Sequence, residues 1–169
     1  GKALTVKAFL TALLCKHPVS SGEACGECSA CTRDLTGNHP DVVWIAPEKN
    51  RKIKIEQIRK AKAALNLKPF ESNNNACVIE DAHMMTIEAS NALLKVLEEL
   101  PGESLIILIS SKRELLLPTV LSRCSEVRFE GLWVETTMEI IRENSDIGKD
   151  DAYLLAFFSE GSPGRALEM

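Results

Sequence analysis

Three groups of residues carry side chains whose spacing could do chemistry. The first is sulfur: Cys25-Gly-Glu-Cys28-Ser-Ala-Cys31 sets two overlapping C-x2-C hooks close together, with Cys15 upstream. Thiolates at this spacing suit the tetrahedral shell of zinc. A shell closed by Cys15, Cys25, Cys28 and Cys31 leaves no open position for water, so the expected role is structural. His17 and His39 are alternative fourth ligands, or else loop residues in solvent. A redox C-x-x-C pair is the rival chemistry, and it leaves the third sulfur unused. The second group is Ser122-Arg123-Cys124. A guanidinium is a rigid planar fork that stays charged at any working pH, so Arg123 could meet an anionic phosphate approaching from outside. A surface ion pair with a carboxylate such as Glu126 is the alternative. The third group is Glu80-Asp81, followed by His83, at the end of an apolar run. Acids at the C-terminal end of a buried strand lie where α/β sheets bind ligands.

These groups need a scaffold. Residues 41–46 (DVVWIA), 76–80 (ACVIE) and 105–109 (LIILI) are rich in β-branched and large apolar side chains, as strands buried in a parallel sheet are. Residues 127–129 (VRF) look like one more strand, which would put Arg123 on a turn at a strand edge. Ser110 and Ser111 follow the 105–109 run, where hydroxyls could sense a phosphate. A helix is expected over 4–14, burying Leu4, Ala8, Leu10, Leu13 and Leu14. Residues 49–68 hold eight basic side chains against one internal acid, Glu56, with Ile55, Ile58 and Leu65 at helical spacing. The positive face of that helix could follow a phosphate backbone, or simply be solvated. Thr86 can cap a helix running to residue 100, with Leu93, Leu94, Leu97 and Leu100 as its apolar stripe and Pro101-Gly102 as its stop. Gly37-Asn38-His39-Pro40 forms a turn. After Gly131 only helical patterns follow, at 133–143, 150–159 and 165–169. The chain therefore divides into an α/β domain over 1–132, carrying a zinc module at 15–31, and a small helical domain over 133–169.

Composition narrows the class. The chain has 169 residues, 45% of them hydrophobic and 26% charged, with a formal net charge of −4. That describes a folded globular chain and argues against wholesale electrostatic binding of nucleic acid, leaving local basic patches as the option. No apolar run approaches the ~18 residues of a membrane span, and no secretory signal is evident, so the expected location is the cytoplasm, without membrane contact. Six cysteines in such a compartment point to metal or catalysis rather than disulfides. The abrupt opening Gly1-Lys2-Ala3 and the unpunctuated end lead us to expect a piece of a longer gene product.

Gly1-Lys2 directly before a helix resembles the close of a phosphate-binding loop, but Ala3 stands where a Ser or Thr would offer magnesium an oxygen. Glu80-Asp81 likewise inverts the Asp-Glu order of nucleotide hydrolases. Together with the cysteine knuckle, HMM-x4-SNALLKVLEELP and LLPTVLSRC, these features resemble the bacterial replicative clamp-loader family of DNA polymerase III over essentially the whole chain. The resemblance implies an AAA+-type parallel sheet flanked by helices, an inserted zinc knuckle and a helical lid domain, with the family's C-terminal collar domain absent here. Within the family, Ala3, Glu80-Asp81, and Gly164 where a second sensor arginine would stand (Arg165 is one place out of register) point to the non-hydrolysing delta-prime branch. The ATP-hydrolysing gamma/tau branch is the alternative. The implied role is a subunit without its own ATPase within the polymerase holoenzyme, helping to load the sliding clamp on primed DNA. Its site at Gly1, Lys2, Ala3, Glu80 and Asp81 would be a degenerate nucleotide site. Arg123, positioned by Ser122 and Cys124, would act in trans on ATP bound by a neighbouring gamma/tau subunit. Gamma/tau and delta subunits, the clamp and primer–template DNA are the implied partners, and zinc the implied cofactor.

Overall fold

The computed structural model describes residues 1–19, 22–35, 39–48, 51–167 and 169. Part of the expected 37–40 turn and Lys49 of the basic stretch lie outside these. The described chain divides into one unit over residues 3–126 and another over 127–169 together with Gly1 and Lys2.

The larger unit is built on three parallel strands in the order β1 (Val42–Ile45), β2 (Asn75–Ile79) and β3 (Ser104–Leu108). Val42 pairs with Ala76 and Ala76 with Leu105. Strand β2 is central and wholly buried, and its alternating side chains enter two separate cores. Cys77 and Ile79 face a core closed by α3 (Ile55–Leu65), α4 (Ile87–Glu98) and α5 (Pro118–Leu121), through Ile58, Leu65, Leu93 and Val120. Ala76 and Val78 face the opposite core, closed by Leu10 and Leu14 of α1 (Lys2–Leu14).

Three of the helices have a local reason to form. Thr86 Oγ1 accepts the amide of Ala89 at the start of α4, and Glu88 adds a negative charge in the first turn. Gln57 Oε1 accepts the amide of Lys54 at the start of α3. Pro118 opens α5, where its fixed φ fits and its missing N–H costs nothing. Just before α3, Lys54 is extended and Ile53, fully buried, bridges to Met85.

Two sequence expectations need correction. The apolar face of α1 is narrower than its composition suggests: Leu10, Thr11 and Leu14 are buried, whereas Leu4, Ala8 and Leu13 are exposed. No strand forms at 127–129, where Val127 is 77% exposed. Its alternating pattern provides two faces, but no strand among the described residues pairs with it, and a strand needs a neighbour.

The smaller unit consists of α6 (Val134–Asn144), α7 (Lys149–Phe158) and α8 (Pro163–Leu167) around Ile141, Ala152, Ala156 and Ala166. The segment leading into α6 crosses the turn after α7 at close range. Leu132 donates its amide to the Gly161 carbonyl at 2.9 Å, and Gly161 adopts φ +76°. A Cβ on Gly161 would stand 2.3 Å from the Leu132 carbonyl oxygen, and one on Gly131 2.5 Å from that of Glu160, so both positions require glycine.

Candidate functional site

Helix α1 ends at Leu14, and the next residue, Cys15, begins the sulfur cluster; α2 (Ser29–Leu35) carries Cys31. The Sγ atoms of Cys15, Cys25, Cys28 and Cys31 all lie within 4.8 Å of one another. Cys28 and Cys31 are separated by 3.4 Å and Cys25 and Cys31 by 3.9 Å, near the ~3.8 Å edge of a tetrahedron with Zn–S bonds of ~2.3 Å. Backbone amides of Cys25, Cys28 and Cys31 point at the sulfurs of Cys15, Cys25 and Cys28 respectively, at 3.4–3.5 Å. Such donors favour thiolate over thiol. The Cys25 amide, foremost, lowers the pKa of Cys15, and the Cys31 amide that of Cys28, to about 6. Burial pushes Cys31 up to about 12. The donor set fits a structural metal: four sulfurs, amide support from the loop, and no group set apart for catalysis. A redox pair would leave two of these four converging sulfurs without a role. His17 is exposed and lies outside the cluster. His39 is also outside it, but the expectation of a solvated loop residue fails: it is 4% exposed, and its Nδ1 accepts the Asp41 amide at 3.2 Å.

Glu80 and Asp81 follow β2 directly. Glu80 Oε2 accepts the indole N–H of Trp44 at 3.0 Å, and Lys7 of α1 lies 5.6 Å from the centre of the same ring. Asp81 adopts the left-handed φ of +47°, and its carboxylate is 4.0 Å from His83 Nδ1. Ser110 Oγ is 3.3 Å from that same nitrogen and also accepts the Lys112 amide, so its oxygen serves local structure; Ser111 is exposed. Lys2 is the first residue of α1, Gly1 precedes it, and Ala3 packs partly buried against the α1 core.

Arg123 stands just past the end of α5, not on a turn between strands. The turn is anchored from both sides. Ser122 Oγ donates to the Thr119 carbonyl at 3.0 Å, while Cys124 packs against the core, where burial raises its pKa. Arg123 Nη1 donates to the Thr119 carbonyl at 3.0 Å and to Ser122 Oγ at 3.3 Å, and Nη2 meets Glu98 Oε1 at 2.8 Å. Its side chain remains 40% exposed. The sequence named Glu126 as a partner, but Glu126 pairs with Arg113 at 3.0 Å. Sequence reasoning missed Glu98 although it lies in the NALLKVLEELP segment, because only the packing of α4 against α5 brings it to the arginine.

Between α3 and α4 an open groove of ≈ 410 Å³ is lined by Ile58, Arg59, Lys62, Lys95 and Val96 among others. One of its cations is committed, since Lys62 bonds Glu99 at 2.8 Å. Arg165 of α8 pairs with Glu160 at 3.5 Å, and Gly164 lies within the same helix. No described helix is long and apolar enough to cross a membrane.

A family model described as DNA polymerase III, delta subunit, matches residues 1–132. The DNA polymerase III subunit delta' of Pseudomonas aeruginosa is 38% identical over 73% of this chain and 38% of its own length. The subunit of the same name from Escherichia coli is 32% identical over 100% of this chain and 51% of its own length. Subunit tau of Bacillus subtilis is 32% identical over 92% of this chain and 30% of its own length. The chain thus spans at most 51% of the length of these relatives. A solved DNA polymerase III gamma subunit-related protein of Thermotoga maritima superposes with a TM-score of 0.62 at 27% identity, over 82% of this chain and 45% of that one. RuvB of the same organism, at 14% identity and a TM-score of 0.54 over 82% of this chain and 47% of that one, shares the fold alone. The parallel sheet with flanking helices is thus the fold of AAA+ proteins.

Proposed function

Because the chain belongs to the DNA polymerase III delta-subunit family, with relatives named delta', we propose that it is a non-hydrolysing clamp-loader subunit that lends Arg123 to ATP held by a neighbouring gamma/tau subunit. The observation that carries this reading is the arginine turn. Cys124 fixes the backbone from the core side while the guanidinium stays 40% exposed at the surface, braced by Thr119, Ser122 and Glu98 with N–H donors to spare for a phosphate from outside. Charge developing on a transferred phosphoryl group would be stabilised by such a group supplied in trans, an effect worth about 10³ to 10⁵ in rate where it has been isolated.

The chain's own nucleotide chemistry is the weaker candidate. Alanine at position 3 has no oxygen for magnesium, and the Glu80 carboxylate is engaged by Trp44. Misplacing a metal or water by about 1 Å costs ~10²-fold in rate. Zinc at Cys15, Cys25, Cys28 and Cys31 would staple the inserted module to the end of α1, holding the local fold without entering any reaction. The 133–169 segment would act as the lid domain. Gamma/tau and delta subunits would be direct neighbours, and the clamp and primer–template DNA would be met through the assembly, with the α3–α4 groove as a positive contribution to the DNA-facing surface.

Arg123→Ala in the complete protein tests this. The steady-state ATPase of the reconstituted loader is expected to fall while assembly by gel filtration is unchanged, and an undiminished rate would refute the trans role. The likeness to tau across 92% of the chain favours one other reading, a subunit that hydrolyses ATP itself. Magnesium-dependent ATP binding with turnover by the isolated complete subunit would establish it.

A further inference from the structure

We propose that Glu98 is a positioning residue for Arg123, setting the direction from which the guanidinium meets the neighbour's phosphate. This rests on the trans role just proposed and adds a residue on a different element to it. An exposed arginine has rotamer entropy to lose, and a fork held beforehand loses less of it on contact with its target. Here the fork is held at three points. Nη1 is fixed by the Thr119 carbonyl and the Ser122 hydroxyl, both on its own turn, and these alone leave the plane free to swing about that end. Glu98 Oε1, at the last residue of α4, takes Nη2 at 2.8 Å and supplies the second anchor from an independent helix. A guanidinium offers five N–H donors, so three contacts leave others for an incoming phosphate.

The location of Glu98 is informative. A carboxylate at the last position of α4 faces the negative end of the helix dipole, where it is disfavoured by itself. Arg123 offsets that charge, so each residue gives the other a reason to stay. The pair is exposed, 40% for the arginine side chain and 52% for the glutamate, so it is weak enough to adjust when a dianionic phosphate arrives.

The experiment is a double-mutant cycle in the complete protein, reconstituted with the other loader subunits. Glu98→Ala is expected to lower kcat for ATP about two- to five-fold, the range open to an exposed pair, with KM unchanged. Glu98→Gln, which keeps an acceptor at the same reach, should fall between the two, and both variants should assemble normally. In an Arg123→Ala background Glu98→Ala should change nothing further. A full additional loss in that background would mean Glu98 acts independently of the arginine. A rise in kcat would mean that it restrains rather than positions. Either result overturns the inference while leaving the trans role standing, whereas an unaffected Arg123→Ala rate removes the trans role itself.

Discussion

Asp41 is the residue most heavily committed to the architecture, although its position beside a strand gave no hint of it. It is 6% exposed, and its carboxylate accepts the amides of Phe70, Glu71 and Ser72 as well as the Ser72 hydroxyl. Burial opposes its charge, and the four donations outweigh that penalty, so its pKa is held below the ordinary carboxylate value. Its stabilisation is therefore fully present above the unfolded pKa of ~3.9 and is lost as pH falls through the folded pKa. Asp41→Asn presents an amide group to these N–H donors and should cost about 1.5–3 kcal/mol at neutral pH. Urea melts at pH 7 and in acid would show the parent and the variant converging as the pH drops. At this scale the sequence was most legible where contacts are local. The C-x2-C hooks brought their sulfurs together as their spacing requires, and Thr86 capped α4. Glu98 with Arg123, Trp44 with Glu80, and Asp41 with the 70–72 loop all depend on tertiary packing, and nothing in local spacing announces them. The burial of His39 escaped for the same reason.

At the scale of elements, the cysteine module is tied to the larger unit by few contacts, chiefly the buried Cys31 beside α1 and the Arg33–Glu71 ion pair. None of its four sulfurs belongs to the cores on either side of β2, so removing metal should loosen the module without dissolving the sheet. The purified protein should carry about one zinc per chain. Cys28→Ser should lose it, and hydrogen exchange should then accelerate over residues 15–35 while the β2 amides stay protected. Equal acceleration in both places would show that the module and the sheet fold as one. The strands and the α4 helix were legible because each has a pattern or a punctuation mark: near-continuous apolar runs for the three strands, Thr86 before α4 and Pro101-Gly102 after it. The expectation at 127–129 failed because alternation specifies faces and says nothing about whether a neighbour is available for hydrogen bonding.

Across the molecule, strand patterns disappear from the sequence after Gly131, whereas the described chain divides at residue 126, with Gly1 and Lys2 in the smaller unit; Gly131 and Gly161 have a specific task in that unit. Gly161→Ala combines a positive φ with a Cβ 2.3 Å from a carbonyl oxygen, so it should unsettle α6–α8. Limited proteolysis should cut that variant within 134–167 and spare 3–126; cleavage at the parental rate would mean that the backbones can part at little cost.

The sheet itself constrains how the protein is made. Its strands pair only across long crossovers, Val42 with Ala76 and Ala76 with Leu105. At a ribosomal pace of about 5–20 residues per second, β1 leaves the exit tunnel seconds before β2 follows it out. During that interval its apolar Val-Val-Trp-Ile run is an open template for adhesion to other nascent chains. Yield at high expression should accordingly depend on how well the cell shields that stretch until β2 arrives.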